Sequence, residues 1–401
     1  MTRAPGPKGH WLLGNSEDYD RDRIGFLRRC HQQYGDVFSF DARTVVVSAP
    51  GQVHALLTRT NEDFLAENAP FAGRVDTERM ASDAELWTAA RRTGWQGLGR
   101  RVADAHVERL RRIFRDCVGD GEHDVLATMT AFFARATADF CLSRDAGGVP
   151  EALAENAAAI DPLSRSSLQV PPWWPSRRVR RFTRSRRELL ALMTELVRRR
   201  RESGESAHDL LDVLLAPREH PLSDLQIERF LRGIMLAALG VPATALAWIV
   251  YELGTRPELA AKLDDPAYAE AFVKEVLRLW PPTWLIGRTV RRETELDGLR
   301  LRAGDQVLFS LYLLHRDPRW WQDPDELVPE RWLGGRAPVR HTYLPFGAGP
   351  RVCVGTQLGM RQLTLAASWL AGMRITTSSA PVTPDFGGLL APRGLAVSLR
   401  S

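Results

Sequence analysis

The chain has 401 residues, of which 44% are hydrophobic and 26% are charged, and its formal net charge is +5. These proportions exclude disordered, collagen-like and disulfide-scaffold proteins, and the length leaves room for an extensive hydrophobic core. No repeat, low-complexity tract or linker interrupts the sequence, so we expect a single domain over residues 1–401.

The positive charge does not indicate nucleic-acid binding. Arginine supplies 51 of the 54 basic residues, spread along the whole chain without zinc-ligand spacing or a helix-turn-helix pattern. The four cysteines, at positions 30, 117, 141 and 353, form no C-x-x-C pair. The N-terminus carries no apolar signal or anchor segment, so we expect a cytoplasmic protein with no membrane contact.

Helices dominate the predicted elements of the first half. Alternating β-branched residues at 36–49 predict a small sheet, and Gly51–Leu57 continues as a short helix. Apolar residues recur every three or four positions from Asp83 to Leu142 and from Arg177 to Leu215, which predicts amphipathic helices. The arginine run at 177–181 indicates either a solvated helix face or an electrostatic patch.

The second half begins with a run that carries no charge, from Gly233 to Tyr251. It is long enough to cross a bilayer, but its glycines, its alanines and Pro242 favour a buried central helix. Short β-like pieces follow at Leu299–Arg302 and Gln306–Tyr312. We therefore expect a mainly α protein with small antiparallel β-sheets.

The segment Phe346–Gly355 presents Cys353 on a glycine-rich loop that leads into a predicted helix. A helix N-terminus favours thiolate over thiol, and a thiolate is a metal ligand. No second Cys or His stands nearby to complete a zinc site, and the glycines let a flat ligand approach the backbone. A single thiolate with open space opposite is a suitable ligand for a haem iron.

This loop has the pattern Phe-x-x-Gly-x-Arg-x-Cys-x-Gly, and the chain resembles the cytochrome P450 family of haem-thiolate oxygenases over essentially its whole length. The resemblance implies the cytochrome P450 fold, haem b as cofactor, and Cys353 as the axial ligand of the iron. It also implies that Phe346, Gly347, Arg351 and Gly355 form the cofactor-binding loop.

Further motifs fit the same family. Glu275-x-x-Arg278 and Arg331 resemble its buried structural network, whose loss would strand a charge inside the protein. Trp87-x-x-x-Arg91, together with Arg288 and Arg351, resembles the set of donors that hold the two haem propionates.

The central helix departs from the family pattern Ala/Gly-Gly-x-Asp/Glu-Thr-Thr/Ser. Gly240 is kept, but Pro242 stands in the place of the acid and Ala243 in the place of the alcohol. Both proton-delivering groups are therefore missing, and we expect Pro242 to kink the helix. Gly240 and Thr244 are the catalytic candidates, although Thr244 lies about 100° around a regular helix from the usual alcohol.

Three interpretations of this departure stay open. Ordered water or a substrate hydroxyl or carboxyl delivers the protons; hydrogen peroxide replaces dioxygen and bypasses the relay; or the chain binds haem as a non-oxygenating sensor or partner-recruiting protein. The first predicts a monooxygenase that acts by hydroxylation, epoxidation or oxidative ring formation in specialised-metabolite biosynthesis.

The resemblance places the substrate pocket in Asp63–Asp83, in Leu236–Thr244, in Pro282–Ile286 and in residues 387–390. The last three are mostly apolar, which indicates a hydrophobic small-molecule substrate. The pocket candidates are Leu236, Leu239, Gly240, Ala243, Thr244, Thr283, Trp284, Leu285 and Leu389.

Only 48 residues follow Cys353 in the sequence, which is too few for a reductase, so we expect separate electron donors as in the relatives that the resemblance implies. We expect an acidic ferredoxin and an NAD(P)H-dependent ferredoxin reductase, with the enzyme as a monomer. Two interpretations of five arginines stay open. They form a basic docking surface for the ferredoxin, or they reflect the general arginine enrichment of the chain. The residues are Arg91, Arg92, Arg100, Arg101 and Arg361.

Overall fold

Helices make up most of the part of the chain that the computed structural model describes, which is residues 4–10, 14–66, 76–167, 176–217, 219–335, 337–378 and 382–401. The α-helices of this part are α1 (Ser16–Arg21), α2 (Arg23–Tyr34), α3 (Pro50–Thr58), α4 (Thr77–Gly94), α5 (Arg100–Ala105), α6 (Val107–Cys117), α7 (Val125–Leu142), α8 (Val149–Ile160), α9 (Arg177–Ser203), α10 (Leu210–Leu215), α11 (Asp224–Thr255), α12 (Pro266–Leu279), α13 (Leu311–Leu314) and α14 (Thr356–Ala371). Short 3₁₀ turns occur at Trp95–Leu98, Ser143–Asp145, Asp161–Leu163, Pro257–Asp264, Pro329–Trp332 and Gly349–Arg351.

The strands form small sheets at the periphery. They are β1 (Val37–Ser39), β2 (Thr44–Val47), β3 (Phe64–Ala66), β4 (Gly121–Asp124), β5 (Leu285–Val290), β6 (Thr294–Leu296), β7 (Leu299–Leu301), β8 (Gln306–Ser310), β9 (Arg374–Thr377), β10 (Thr383–Phe386), β11 (Leu390–Arg393) and β12 (Ala396–Arg400). The sheet orders are β1-β2-β8-β5-β3, β4-β12-β9, β6-β7 and β10-β11. The prediction of a mainly α protein with small antiparallel sheets is confirmed, apart from the parallel pair β2–β8.

The uncharged run is the middle of α11, the longest helix of the described residues. Ser223 and Gln226 form a capping box at its start, which satisfies backbone N–H groups of the first turn. Its second half is buried on every side, from Ala243 to Val250, and it packs against α7, α9, α14 and α4. The prediction of a buried central helix is confirmed.

Two described helices, α7 and α11, are long and apolar enough to cross a membrane. More than half of each apolar stretch, 61% in α7 and 56% in α11, is buried inside the protein. The two helices pack against each other and form the centre of the hydrophobic core.

A smaller apolar cluster lies between α3 and the five-stranded sheet. It contains Val47 and Leu57 from the N-terminal segment and Phe64, Val290 and Phe309 from the strands. This packing fixes β5 and the end of α3 relative to each other, and both contribute residues to the site described below.

The segment from Asp83 to Leu142 differs from the prediction of continuous amphipathic helix. It is divided into α4, α5, α6 and α7, and strand β4 lies within it. The partner of β4 is β12 near the C-terminus, where His123 pairs with Val397. Local apolar spacing carries no information about so distant a partner, which is why the strand was missed.

Candidate functional site

Cys353 lies on the loop between the 3₁₀ turn Gly349–Arg351 and the start of α14. Its backbone N–H donates to the Phe346 carbonyl at 2.8 Å. The hydroxyl of Thr356, the first residue of α14, donates to the Cys353 carbonyl at 2.8 Å. These two bonds fix the backbone on both sides of the thiol.

Glycines make the loop possible. Gly347 and Gly349 have φ angles of 70° and 69°, a region that favours glycine. A Cβ on Gly349 would also lie 2.3 Å from the Leu57 carbonyl oxygen at the end of α3. The loop therefore packs closely on α3 at a position where only glycine fits.

The thiol of Cys353 experiences opposing influences. Solvent reaches its side chain, yet burial by the surrounding protein raises the pKa of the thiol above its usual value. Hydrogen bonds from Gly355 and Thr356 and the charge of Arg91 lower the same pKa by less. Burial is the largest of these effects, so the net direction of the pKa shift is upward. Metal coordination deprotonates a thiol directly, so the residue fits a metal ligand.

Two guanidinium groups lie beside this loop. Arg91 on α4 donates to the Val352 carbonyl at 2.6 Å, and Arg351 donates to Asn61 Oδ1 at 3.2 Å. Burial lowers the pKa of both arginines, and the charge of Arg91 lowers that of Arg351 further. Among the described residues, neither one pairs with a carboxylate. Two adjacent cations without counter-ions form a site for a bound anion.

A third guanidinium approaches the same place from β5. Arg288 is buried, and its Nε donates to the Thr60 hydroxyl at 3.0 Å. Because Thr60 and Asn61 are consecutive, Arg288 and Arg351 reach neighbouring residues at the end of α3. Two arginines that are far apart in sequence thus contact adjacent residues of the chain.

Trp87 lies one turn before Arg91 on the same face of α4. Its indole packs on the ring of Phe230, with centroids 5.1 Å apart. A Cβ on Gly233 would lie 2.7 Å from Trp87 Cζ3, so the ring also covers α11. Trp87 therefore joins α4 to the central helix.

An open cavity of about 480 Å³ adjoins the Cys353 loop. The residues around it are Asn61, Thr88, Arg91, Arg92, Trp95 and Pro350. Trp95 is 48% exposed, and its ring lies 5.4 Å from the Arg91 guanidinium carbon. No local sequence pattern indicates Asn61 or Trp95, because their neighbours at the cavity come from distant parts of the chain.

The remaining arginines of the predicted basic docking surface differ in solvent exposure and in ion pairing. Arg92 and Arg101 are exposed. Arg361 on α14 pairs with Asp104 at 2.8 Å, which offsets its charge. The side chain of Arg100 lies outside the described part of the structure. Of the two exposed arginines, Arg92 lines the cavity.

Glu275 and Arg278 form a fully buried pair on α12. Both Arg278–Glu275 hydrogen bonds measure 2.9 Å, and Arg331 donates to Glu275 Oε1 at 2.9 Å. Trp332 Nε1 and the Val328 backbone N–H add donors at 2.8 and 3.0 Å. Five N–H groups thus satisfy one carboxylate. The sequence motifs indicate Glu275, Arg278 and Arg331 but not Trp332 or Val328.

The other end of Arg278 connects α12 to the long loop before the Cys353 segment. It donates to the carbonyls of His315, Pro324 and Glu326 at distances of 2.6 to 2.8 Å. The network therefore holds the loop in place through main-chain acceptors, whose positions no sequence pattern shows.

The turn at residues 387–390 is fixed between α11 and the segment after α12. Trp284 Nε1 donates to the Gly387 carbonyl at 3.0 Å, and Trp248 Nε1 donates to the Leu390 carbonyl at 2.8 Å. A Cβ on Gly240 would lie 3.2 Å from Leu389 Cδ1. Three of the predicted pocket segments thus meet at one place.

The predicted pocket residues differ in exposure. Leu239, Ala243, Thr244, Trp284 and Leu285 are buried against protein. Leu236, Gly240, Thr283 and Leu389 are half-buried, and Ala237, which the sequence analysis did not select, is exposed. Of the predicted segment Asp63–Asp83, residues 67–75 lie outside the described residues.

Helix α11 remains helical through Pro242. Gly240 and Thr244 are four residues apart and therefore share one face, together with Ala237. The Ala238 carbonyl, which a proline at position 242 cannot bond, accepts a hydrogen bond from Thr137 Oγ1 on α7 at 3.3 Å.

A family model described as Cytochrome P450 matches residues 4–371. The chain belongs to the cytochrome P450 family. Members of this family hold haem. The Cys353 loop fits such a group, because Arg91 and Arg351 beside the thiol pair with no carboxylate among the described residues.

Curated relatives give more detail. The cytochrome P450 chain is 34% identical over 286 residues to cyclooctatin synthase of Streptomyces melanosporofaciens, a match that covers 62% of this chain and 61% of that protein. It is 31% identical over 281 residues to cyclooctat-9-en-7-ol 5-monooxygenase of the same organism, where the match covers 60% of the relative. The chain thus matches about three-fifths of the length of these two proteins.

Longer matches are more distant. Sterol 14alpha-demethylase of Mycobacterium tuberculosis is 28% identical over 407 residues, which covers 90% of this cytochrome P450 and 88% of the relative. A solved structure described as retinoic acid bound cyanobacterial CYP120A1 matches the whole chain with a TM-score of 0.82 and 20% identity. That likeness confirms the cytochrome P450 fold.

Proposed function

We propose that the chain is a single-domain haem-thiolate monooxygenase that oxidises a hydrophobic small molecule and binds haem b through Cys353. One observation carries the proposal: Arg91 lies beside the Cys353 loop, which itself contains Arg351, and neither arginine pairs with a carboxylate among the described residues. Haem complements both features, because its iron binds a thiolate and its two propionates bind guanidinium groups.

Each residue of this site has a defined role in the proposal. Haem held by the Cys353 thiolate would supply the oxidising chemistry. Cys353 would bind the iron, and the bonds to Phe346 and Thr356 hold it in position. Gly347 supplies the positive-φ turn of the loop, and Gly355 lies next to the Cys353 sulfur. The donors to the propionates are Trp87, Arg91, Arg288 and Arg351.

Proton delivery depends on residues other than the usual acid and alcohol. The side chains of Pro242 and Ala243 carry no exchangeable proton. The Thr244 hydroxyl lies on the Gly240 face of α11, as the i, i+4 spacing requires. We assign proton delivery to Thr244 together with ordered water or a polar group of the substrate, and Gly240 leaves space for them.

The substrate is proposed to be hydrophobic because the α11 face, the turn at Leu389 and the segment around Trp284 are mostly apolar. The two Streptomyces relatives carry names of cyclooctatin formation and of a monooxygenase. These names support oxidation of a specialised metabolite by hydroxylation, epoxidation or oxidative ring formation.

The proposed electron donors are a ferredoxin and its NAD(P)H-dependent reductase, with the enzyme as a cytoplasmic monomer. The cavity beside the Cys353 loop, with exposed Arg92 and Trp95 at its rim, supports docking of an acidic protein there.

Carbon monoxide binding tests the proposal. The purified protein is reduced and exposed to carbon monoxide, and we expect a Soret band at the wavelength characteristic of a thiolate ligand. Cys353→Ser abolishes this band, whereas Cys117→Ser, at a half-buried cysteine outside the site, retains it. A band at the shorter, imidazole-like wavelength in the wild-type protein contradicts the proposal and favours a non-oxygenating haem protein.

A further inference from the structure

Pro242 leaves one carbonyl of α11 without its normal partner. In an α-helix the N–H of residue i donates to the carbonyl of residue i−4, and proline has no N–H. The carbonyl affected is that of Ala238, yet α11 is helical from Asp224 to Thr255. An unbonded carbonyl inside the protein destabilises the fold, so another donor is expected.

Thr137 supplies a donor from the neighbouring helix. It is 6% exposed on α7, and its Oγ1 lies 3.3 Å from the Ala238 oxygen. Thr130 on the same helix behaves differently, because its hydroxyl donates at 2.7 Å to Leu126, four residues earlier in α7. Thr137 thus bonds between helices where a helical threonine commonly bonds within its own.

The contact lies close to the residues that matter for the site. Ala238 is two residues before Gly240 and six before Thr244, and the α7–α11 contact is the most extensive helix pair of the core. The distance of 3.3 Å exceeds the usual O–H···O value of about 2.7–2.8 Å. A modest effect is therefore expected from its loss.

We propose that Thr137 is a positioning residue, which caps the Ala238 carbonyl and thereby holds the Pro242 segment of α11 in place above the site. Thr137 and Pro242 form a functional pair in this chain, because the hydroxyl is needed only when residue 242 has no N–H. The positioning role of Thr137 rests on the proposed function in one respect, which is that the α11 segment around Pro242 borders the site.

A double-mutant cycle tests the proposal in the holoenzyme. The variants are Thr137→Val, which removes the donor at similar volume, Pro242→Ala, which restores the N–H, and their combination. Amide hydrogen exchange is measured by mass spectrometry in peptides that cover residues 236–248. Thr137→Val raises exchange roughly three- to tenfold in the Pro242 background and leaves it unchanged in the Pro242→Ala background, where the new N–H bonds Ala238.

The conservative variant separates hydrogen bonding from packing. Thr137→Ser keeps the hydroxyl and is expected to exchange like the wild type, although it loses a methyl group. The proposal is overturned if Thr137→Val has the same effect in both backgrounds, or if Thr137→Ser and Thr137→Val behave alike. The comparison of Thr137→Ser with Thr137→Val does not use Pro242→Ala, so it tests the proposal even if that variant fails to fold.

A spectroscopic titration links the pair to the site. Imidazole is added to the ferric holoenzyme, and its dissociation constant is obtained from the shift of the Soret band. We expect a change of at least threefold for Thr137→Val, no change for Thr137→Ser, and no effect of Thr137→Val in the Pro242→Ala background. If the carbon monoxide complex lacks the thiolate Soret band, the proposed function is contradicted. The hydrogen-exchange measurements on the Thr137 and Pro242 variants test the role of Thr137 independently of that result.

Discussion

Glu-x-x-Arg occurs both at Glu275–Arg278 and at Glu195–Arg198, and the two pairs have very different surroundings. The side chains of the first pair are 0% exposed, whereas those of the second are 50% and 51% exposed. The spacing is the same, and the hydrogen bonds have similar lengths. Burial therefore decides what the pair contributes, since water screens the exposed pair.

Glu275→Gln is expected to destabilise the protein by about 3–5 kcal/mol, because Arg278 would remain buried without its counter-charge. The matched control, Glu195→Gln, is expected to leave the unfolding midpoint at the wild-type value. Urea unfolding of both variants, with haem content recorded in parallel, measures the difference. Equal midpoints for the two variants contradict the structural role of Glu275.

His315 is a second buried residue with a measurable consequence. Its Nε2 accepts the Leu344 N–H at 3.0 Å, which requires the neutral ring. Burial, followed by the charges of Arg278 and Arg316, lowers the pKa of His315 to about 3. The unfolded state binds a proton below about pH 6.5, whereas the folded state does not, so stability is lost as the pH falls.

We therefore expect His315→Gln, whose amide oxygen replaces the acceptor, to lose less stability on acidification than the wild type. Between pH 6.5 and 5 the difference amounts to about 1.7 kcal/mol, because the unfolded state goes from half protonated to almost fully protonated at this ring while the folded state stays neutral. Denaturant unfolding at several pH values measures it. His106 on the α5–α6 corner, with a pKa lowered to about 4 chiefly by burial, keeps its own contribution in both proteins. Parallel pH profiles for variant and wild type contradict this role of His315.

At the scale of elements, glycines show where helices need close approach. A Cβ on Gly94 at the end of α4 would lie 2.4 Å from the Phe230 ring on α11. Nothing lies within 4 Å of a Cβ on Gly359 in α14. Replacing glycine with alanine is therefore expected to change the stability of the protein in opposite directions at the two positions.

Gly94→Ala is expected to destabilise the protein by about 1–3 kcal/mol, because the methyl group pushes α4 away from α11. Gly359→Ala is expected to stabilise it by about 0.5–1 kcal/mol, since alanine loses less backbone entropy in a helix. Thermal unfolding of both variants checks the signs. A destabilised Gly359→Ala protein would show that the space beside α14 is needed.

Element prediction succeeded where the pattern is local. The uncharged run identified the middle of α11, and the β-branched residues at 36–49 became β1 and β2. Strand β4 was not predicted from the local pattern, since it forms only by pairing with β12. The boundaries between α4, α5 and α6 were not predicted either, because the same spacing of apolar residues continues across them.

At the scale of the whole molecule, the distribution of exposed arginines allows a test of the proposed electron donor. Arg92→Glu, at the rim of the cavity beside the Cys353 loop, is expected to slow ferredoxin-dependent turnover on the order of three- to tenfold at low salt. It should also weaken the salt dependence of the rate.

The control is Arg187→Glu on α9, an exposed arginine on a helix that packs on α8 and α11. It makes the same charge change away from the cavity and should leave turnover unaltered. Similar losses for both variants would show that net charge, rather than a docking surface, controls the rate. Turnover with ferredoxin and reductase at several salt concentrations distinguishes the two outcomes.

The sequence alone determined the helical class, the central helix and the motif that carries Cys353, because each is written in adjacent residues or in a short period. It also selected Arg91, Arg288 and Arg351, but only through resemblance. The tertiary structure decided which groups meet: Arg288 with Thr60, Arg351 with Asn61, Arg91 with the Val352 carbonyl, Arg278 with its main-chain acceptors, and Thr137 with Ala238. Such contacts join residues far apart in the chain, and their geometry depends on how buried elements pack, which no local pattern encodes.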